Sequence, residues 1–120
     1  VVKGRRLPDT DVKHIAADWQ PGDYWRVLTK DGSRPATPED VCKPDHTHAS
    51  NLTGGVWWVV TPNGVLARLC LHTVREEDDG TISVRPGDGS SNSIFVKGYS
   101  RGLKDYVEYH GYIEHGVWTP

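Results

Sequence analysis

Cysteine is scarce in this chain, at 2 of 120 residues, which excludes a fold held together by a disulfide framework. Long apolar runs are missing as well. Nothing approaches the roughly 20 residues of a membrane-crossing helix, and no signal-peptide pattern opens the sequence. Basic excess is also absent: 14 Lys and Arg against 16 Asp and Glu leave a formal net charge of −2. That balance argues against a protein that coats nucleic acid, where a basic surplus is needed to neutralise phosphates. There is no internal repeat, low-complexity tract or dividing linker. What remains is ordinary globular material, with 36% apolar and 25% charged residues and 13 glycines. At this length the expectation is one soluble, cytoplasmic domain over 1–120, able to bury roughly two-thirds of its unfolded surface.

Along the chain, 1–10 carries Lys3, Arg5 and Arg6 with Gly4 and Pro8, and reads as a flexible basic arm. Val12, Ile15, Ala16 and Trp19 then fall on one stripe at helical spacing, which predicts a short helix over 11–20, stopped by Pro21-Gly22. A second helix of one or two turns is expected at 38–42, with Thr37 as its cap, Pro38 first, and Glu39 and Asp40 in its opening turn. The region 23–118 reads mostly as strands and turns. Strands are expected at 24–29, 56–60, 65–74, 81–85, 93–97, 106–113 and 117–118. Asn63-Gly64 predicts a tight hairpin, and Asp31-Gly32 and Asp78-Asp79-Gly80 predict turns. The stretch 98–105 reads as a loop. The fold class is therefore mainly β, as a small antiparallel sheet or a partly open barrel with one or two short helices.

Three groups of residues could carry chemistry. Cys42, His46 and His48, with Cys70 and His72 further on, supply the thiolates and imidazoles that zinc prefers. Their spacing lacks the two-residue gap of zinc ribbons and fingers, so two reduced cysteines with ordinary histidines outweigh zinc, and a Cys42–Cys70 disulfide is a third account. The second group is the polar loop over 87–93, where glycine amides and the side chains of Ser90, Ser91 and Asn92 can hold an anion, and Asp88 can face a cation. A turn-rich strand connection is the plainer account. No Walker pattern is present. The third group lies on the strand over 106–114, where alternation sends Tyr106, Glu108, His110, Tyr112 and Glu114 to one side. A histidine between carboxylates can act as a general acid or base, but no serine sits in a recognisable nucleophile elbow, and a packed cross-strand ladder is the simpler reading. Trp57 and Trp58 are consecutive on a strand and must face opposite ways.

The segments Asp79-Gly-Thr-Ile-Ser-Val-Arg-Pro86, Ser90-Ser-Asn-Ser-Ile94 and His110-Gly-Tyr-Ile-Glu-His-Gly-Val-Trp118 together carry a resemblance. In this combination the C-terminal half resembles small proteins of unassigned function encoded by phages of actinobacteria. The resemblance implies an accessory gene product acting in the bacterial cytoplasm and brings no catalytic residue with it. A more distant group has paired, metal-binding cysteines where this chain has Pro62-Asn63-Gly64 and no cysteine before His110, which weakens the zinc reading. The expected function is a non-enzymatic module that binds a host protein or a small anionic ligand through Asp88, Ser90, Ser91, Asn92, His110 and Tyr112, without a cofactor and without a membrane or nucleic-acid partner. Two rivals stand beside it. One is a self-associating virion or decoration subunit with apolar patches around its tryptophans. The other is a small hydrolase using His110 with Asp88 or Glu108.

Overall fold

Alternation of buried and exposed side chains governs most of the chain. The computed structural model describes residues 1–12, 14–16, 18–37, 56–69, 72–86, 90–100 and 106–120. Among them are ten strands and no helix: β1 (Val2–Lys3), β2 (Thr10–Asp11), β3 (Tyr24–Leu28), β4 (Trp57–Val60), β5 (Val65–Leu69), β6 (His72–Glu76), β7 (Ile82–Pro86), β8 (Ile94–Ser100), β9 (Tyr106–Glu114) and β10 (Val117–Thr119). The strands form two open sheets that meet on β9, and neither closes into a barrel. The first half of β9 pairs with β8, which continues to β5, β4 and β3. Its last residues pair with β10 on one side and, through Ile113, with Val84 of β7 on the other, with β6 beyond.

The core is what the inward faces of both sheets share. Trp57, Val59, Val65, Leu69, Val74, Ile82, Val84, Ile94, Ile113 and Trp118 form one buried cluster with Tyr24. Burying side chains of this size is the dominant stabilising term available to such a domain. Buried indoles have partners: Trp118, in this cluster, donates to the Gly22 carbonyl at 3.0 Å, and Trp25, outside it, donates to Thr10 Oγ1 at 3.0 Å. Trp57 is fully buried while Trp58 is half-buried and stacked on Trp25, so the two consecutive tryptophans do face opposite ways.

Three expectations need correction. The basic arm is built into the sheets: Val2–Lys3 pairs with β10, Arg6 bridges to Tyr24, and Thr10–Asp11 runs parallel to β3. Arg5 is held by buried Asp23 through two hydrogen bonds of 3.2 and 2.9 Å. The helix over 11–20 is not formed among the described residues. The chain there is committed to β3 at its start, and Asp18 takes a left-handed φ of 57°, which no α-helix accommodates. Ile15, on the expected buried stripe, is 49% exposed. Finally, the strand expected over 65–74 is two strands in different sheets. The second helix, at 38–42, lies outside the described residues.

The hairpin and turn glycines behave as their positions require. Gly64, Gly32 and Gly80 all have positive φ, at 85°, 73° and 84°. The β9–β10 turn places both His115 (φ 48°) and Gly116 (φ 76°) in the left-handed region, the backbone of a two-residue type I′ hairpin.

Candidate ligand-binding face

Because Val74, Ile82, Val84, Ile94 and Ile113 point into the core, their chain neighbours must point out. The outer face thus receives Thr73 and Arg75 from β6, Ser83 and Arg85 from β7, Phe95 from β8, and His110, Tyr112 and Glu114 from β9. Register decides who meets whom. Thr73 pairs with Arg85 and Arg75 with Ser83, while Phe95 pairs with His110. The pairing of Val84 with Ile113 sets Arg85 beside Tyr112 one residue along. Thr73, Arg75, Ser83 and Arg85 line a hollow of about 210 Å3.

Ion pairs and hydrogen bonds hold this hollow in shape. Arg75 donates through Nε to Glu77 at 2.7 Å, and Arg85 Nη1 lies 2.5 Å from Glu114. Arg75 and then Ser83 hydrogen-bond the Glu77 carboxylate and keep its pKa below the ordinary glutamate value. The His115 amide donates to Ser83 Oγ at 3.0 Å, so the I′ turn is tied to the centre of the hollow. Each arginine is engaged by its carboxylate through one nitrogen in these pairs, and Arg75 is 69% exposed. Two guanidinium groups on neighbouring strands are donors suited to a small oxyanion.

Of the ligand residues expected from sequence, Asp88 lies outside the described residues. Ser90, Ser91 and Asn92 are described, with Ser91 and Asn92 exposed and the Asn92 amide reaching Ser90 Oγ at 3.4 Å. Their loop starts after β7, whose Val84 lies on Ile113, and ends at Ile94, which lies on Gly111. Both anchors therefore flank the stretch of β9 around Tyr112, and the register sets the end of the loop by His110 and Tyr112. His110 is 65% exposed, with Nε2 3.9 Å from Glu108 and its ring edge-on to Phe95 at 4.5 Å. Tyr112 and Phe95 are 38% and 42% exposed. Sequence reading passed over Thr73, Arg75, Ser83 and Arg85. The alternation that turned Ile82 and Val84 inward already placed Ser83 and Arg85 on the opposite face.

Of the metal ligands considered, Cys42, His46, His48 and Cys70 lie outside the described residues, and His72 lies within them. His72 is half-buried and hydrogen-bonded to the Phe95 backbone, and burial pushes its pKa down. Its Nδ1 is buried and has no hydrogen-bond partner among the described residues. No group of three metal-ligating side chains occurs among the described residues. No described helix is long and apolar enough to cross a membrane. Of the tryptophans around which a virion subunit would expose apolar patches, Trp57 and Trp118 are buried in the core and Trp58 is half-buried. No protein-family model, curated protein or solved structure matches the chain.

Proposed function

We propose that the chain is a phage-encoded accessory protein of the bacterial cytoplasm that works as a non-enzymatic binding module for a small anionic ligand. The observation that carries this reading is the hollow lined by Thr73, Arg75, Ser83 and Arg85 beside the serine-rich loop. Two guanidinium groups on neighbouring strands, Arg75 of β6 and Arg85 of β7, supply directed donors to the hollow. His110 adds an exposed imidazole at the margin, on the side where the loop end meets β9.

Inorganic phosphate is a suitable first probe, followed by amide chemical shifts of labelled protein. Saturable shifts should centre on β6, β7 and the 90–92 stretch. The Arg75→Gln, Arg85→Gln double variant should weaken binding at least tenfold, the scale of losing charge-assisted hydrogen bonds. Alanine at Ser91, Asn92 and His110 should weaken it further while thermal stability stays nearly unchanged. Shifts that never saturate, or affinity indifferent to the arginines, would refute the reading. Unfolding of the loop variant would make those residues scaffold.

A further inference from the structure

We infer that the ligand is a mononucleotide, with its phosphate in the Arg75–Arg85 hollow and its base stacked on Tyr112. The inference rests on the hollow being an anion site and adds the aromatic surface next to it. Large apolar side chains are almost all withdrawn into the core, yet Phe95 and Tyr112 stay 42% and 38% exposed on one face. Val84 pairs with Ile113, so Arg85 and Tyr112 each lie one residue along from that pairing, and His110 follows two residues further on the same face of β9. Neighbouring strands are roughly 5 Å apart and residues i and i+2 roughly 7 Å apart, so the phosphate site and the ring surface lie within one nucleotide of each other. Phe95 meets the His110 ring edge-on at 4.5 Å and props it beside the tyrosine. Aromatic rings stack on any nucleobase, because every base presents a π-face. Ser91 and Asn92 are exposed just before β8, whose Ile94 pairs with Gly111 next to Tyr112.

Charge selects a single nucleotide over a strand. Glu77 and Glu114 each engage one nitrogen of an arginine, Glu108 adds a negative charge beside His110, and the whole chain is −2. A polyanion needs a continuous basic track, and this face offers one anion site of about 210 Å3.

Calorimetric titration with AMP, adenosine, inorganic phosphate and a thymidine oligonucleotide, at low and moderate salt, tests the inference on the full chain. AMP should bind at least about tenfold more tightly than phosphate or adenosine, the scale of one base–aromatic stack. Tyr112→Ala should reduce AMP affinity to that of phosphate and leave phosphate affinity within twofold. Tyr112→Phe should retain AMP affinity within twofold, which keeps the test valid if the alanine variant folds poorly. Phosphate binding with no gain for AMP would overturn the nucleotide and leave the anion site standing. Adenosine binding as well as AMP would overturn the placement of the phosphate. Binding of neither AMP nor phosphate would sink both readings. An oligonucleotide that binds more tightly than AMP, with affinity falling steeply in salt, would replace the mononucleotide with a single strand.

Discussion

Replacing Glu76 with Gln should destabilise the protein by about 1.5 kcal/mol at pH 7, through a cluster that joins the two sheets. Glu76 sits at the end of β6 and receives both Arg6 Nη1 and Arg26 Nη2. Those two guanidinium groups each lie 5.0 Å from the centroid of the buried Trp57 ring. The carboxylate therefore fixes two cations against one indole and ties β6 to the N-terminal segment and β3. Its side chain is 35% exposed, so solvent screens the pairs, and each is worth about 0.3–1 kcal/mol. Looser cation–π contacts add a similar amount. For a domain of this size the sum is roughly 6 °C in Tm.

The pH dependence makes the test specific. Hydrogen bonds from Arg6 and Arg26 hold the Glu76 carboxyl below its ordinary value of 4.5. A carboxyl with a depressed native pKa contributes stability that is full above the unfolded value and is lost as pH falls through the native one. Urea denaturation at pH 7 should thus separate Glu76→Gln from the parent, and the gap should close as pH falls below about 4.5 and through the depressed native value. A difference below about 0.5 kcal/mol at neutral pH, roughly the noise of such measurements, would refute the reasoning. So would a gap that persists undiminished in acid.

Two further outcomes follow from single positions. Gly98→Ala should cost about 1–3 kcal/mol in urea denaturation, because a Cβ there would stand 2.3 Å from the Leu66 carbonyl oxygen and 3.0 Å from Val65; native-like stability would mean that β5 and β8 can part. Burial depresses the pKa of half-buried His72 below 6.5, so stability should fall as pH drops below that value. The slope has a ceiling of about 1.4 kcal/mol per pH unit for one proton, and Glu76 and His72 act in separate windows. His72→Gln should flatten the curve between neutral pH and the onset of carboxylate titration, and an unchanged curve would show that His72 takes up its proton without penalty.

Strand positions were legible wherever one face was buried and the other wet. Val65, Ala67 and Leu69 alternate with exposed Arg68 as the pattern requires, and Ile82 and Val84 are buried as expected. The break between β5 and β6 was also present in the pattern, though it passed unread. Inward residues are odd-numbered in β5 and even-numbered at Val74, and a straight strand cannot change phase. The helix over 11–20 was misread because a 3.6-residue stripe is only an offer of burial. Isolated short helices are marginal, and here Thr10 and Asp11 pair with β3, while Thr10 also accepts the Trp25 indole. No local pattern could reveal the Glu76 cluster, whose partners lie 70 and 50 residues away in sequence. The loop and the His110–Tyr112 strand were named from chemistry alone, and the hollow between Arg75 and Arg85 needed the β6–β7 register.

Why a ligand face should lie at this point of the molecule follows from the course of β9. Along its first half β9 is paired with β8, and at Ile113 it meets β7 instead, so one strand passes from one sheet to the other near Gly111. Ser91 and Asn92, exposed polar residues just before β8, lie next to the ladder that begins where Ile94 pairs with Gly111. Gly111 is suited to the crossing, since a Cβ would stand 2.3 Å from the Thr119 carbonyl oxygen. Beneath the junction Val84, Ile94 and Ile113 are fully buried and carry the packing energy. Above it, Arg85, His110 and Tyr112 contribute little to that core, so selection can alter them without unfolding the domain. A rigid floor and an independently variable upper surface are the conditions under which a small β-rich domain can acquire specificity for a ligand.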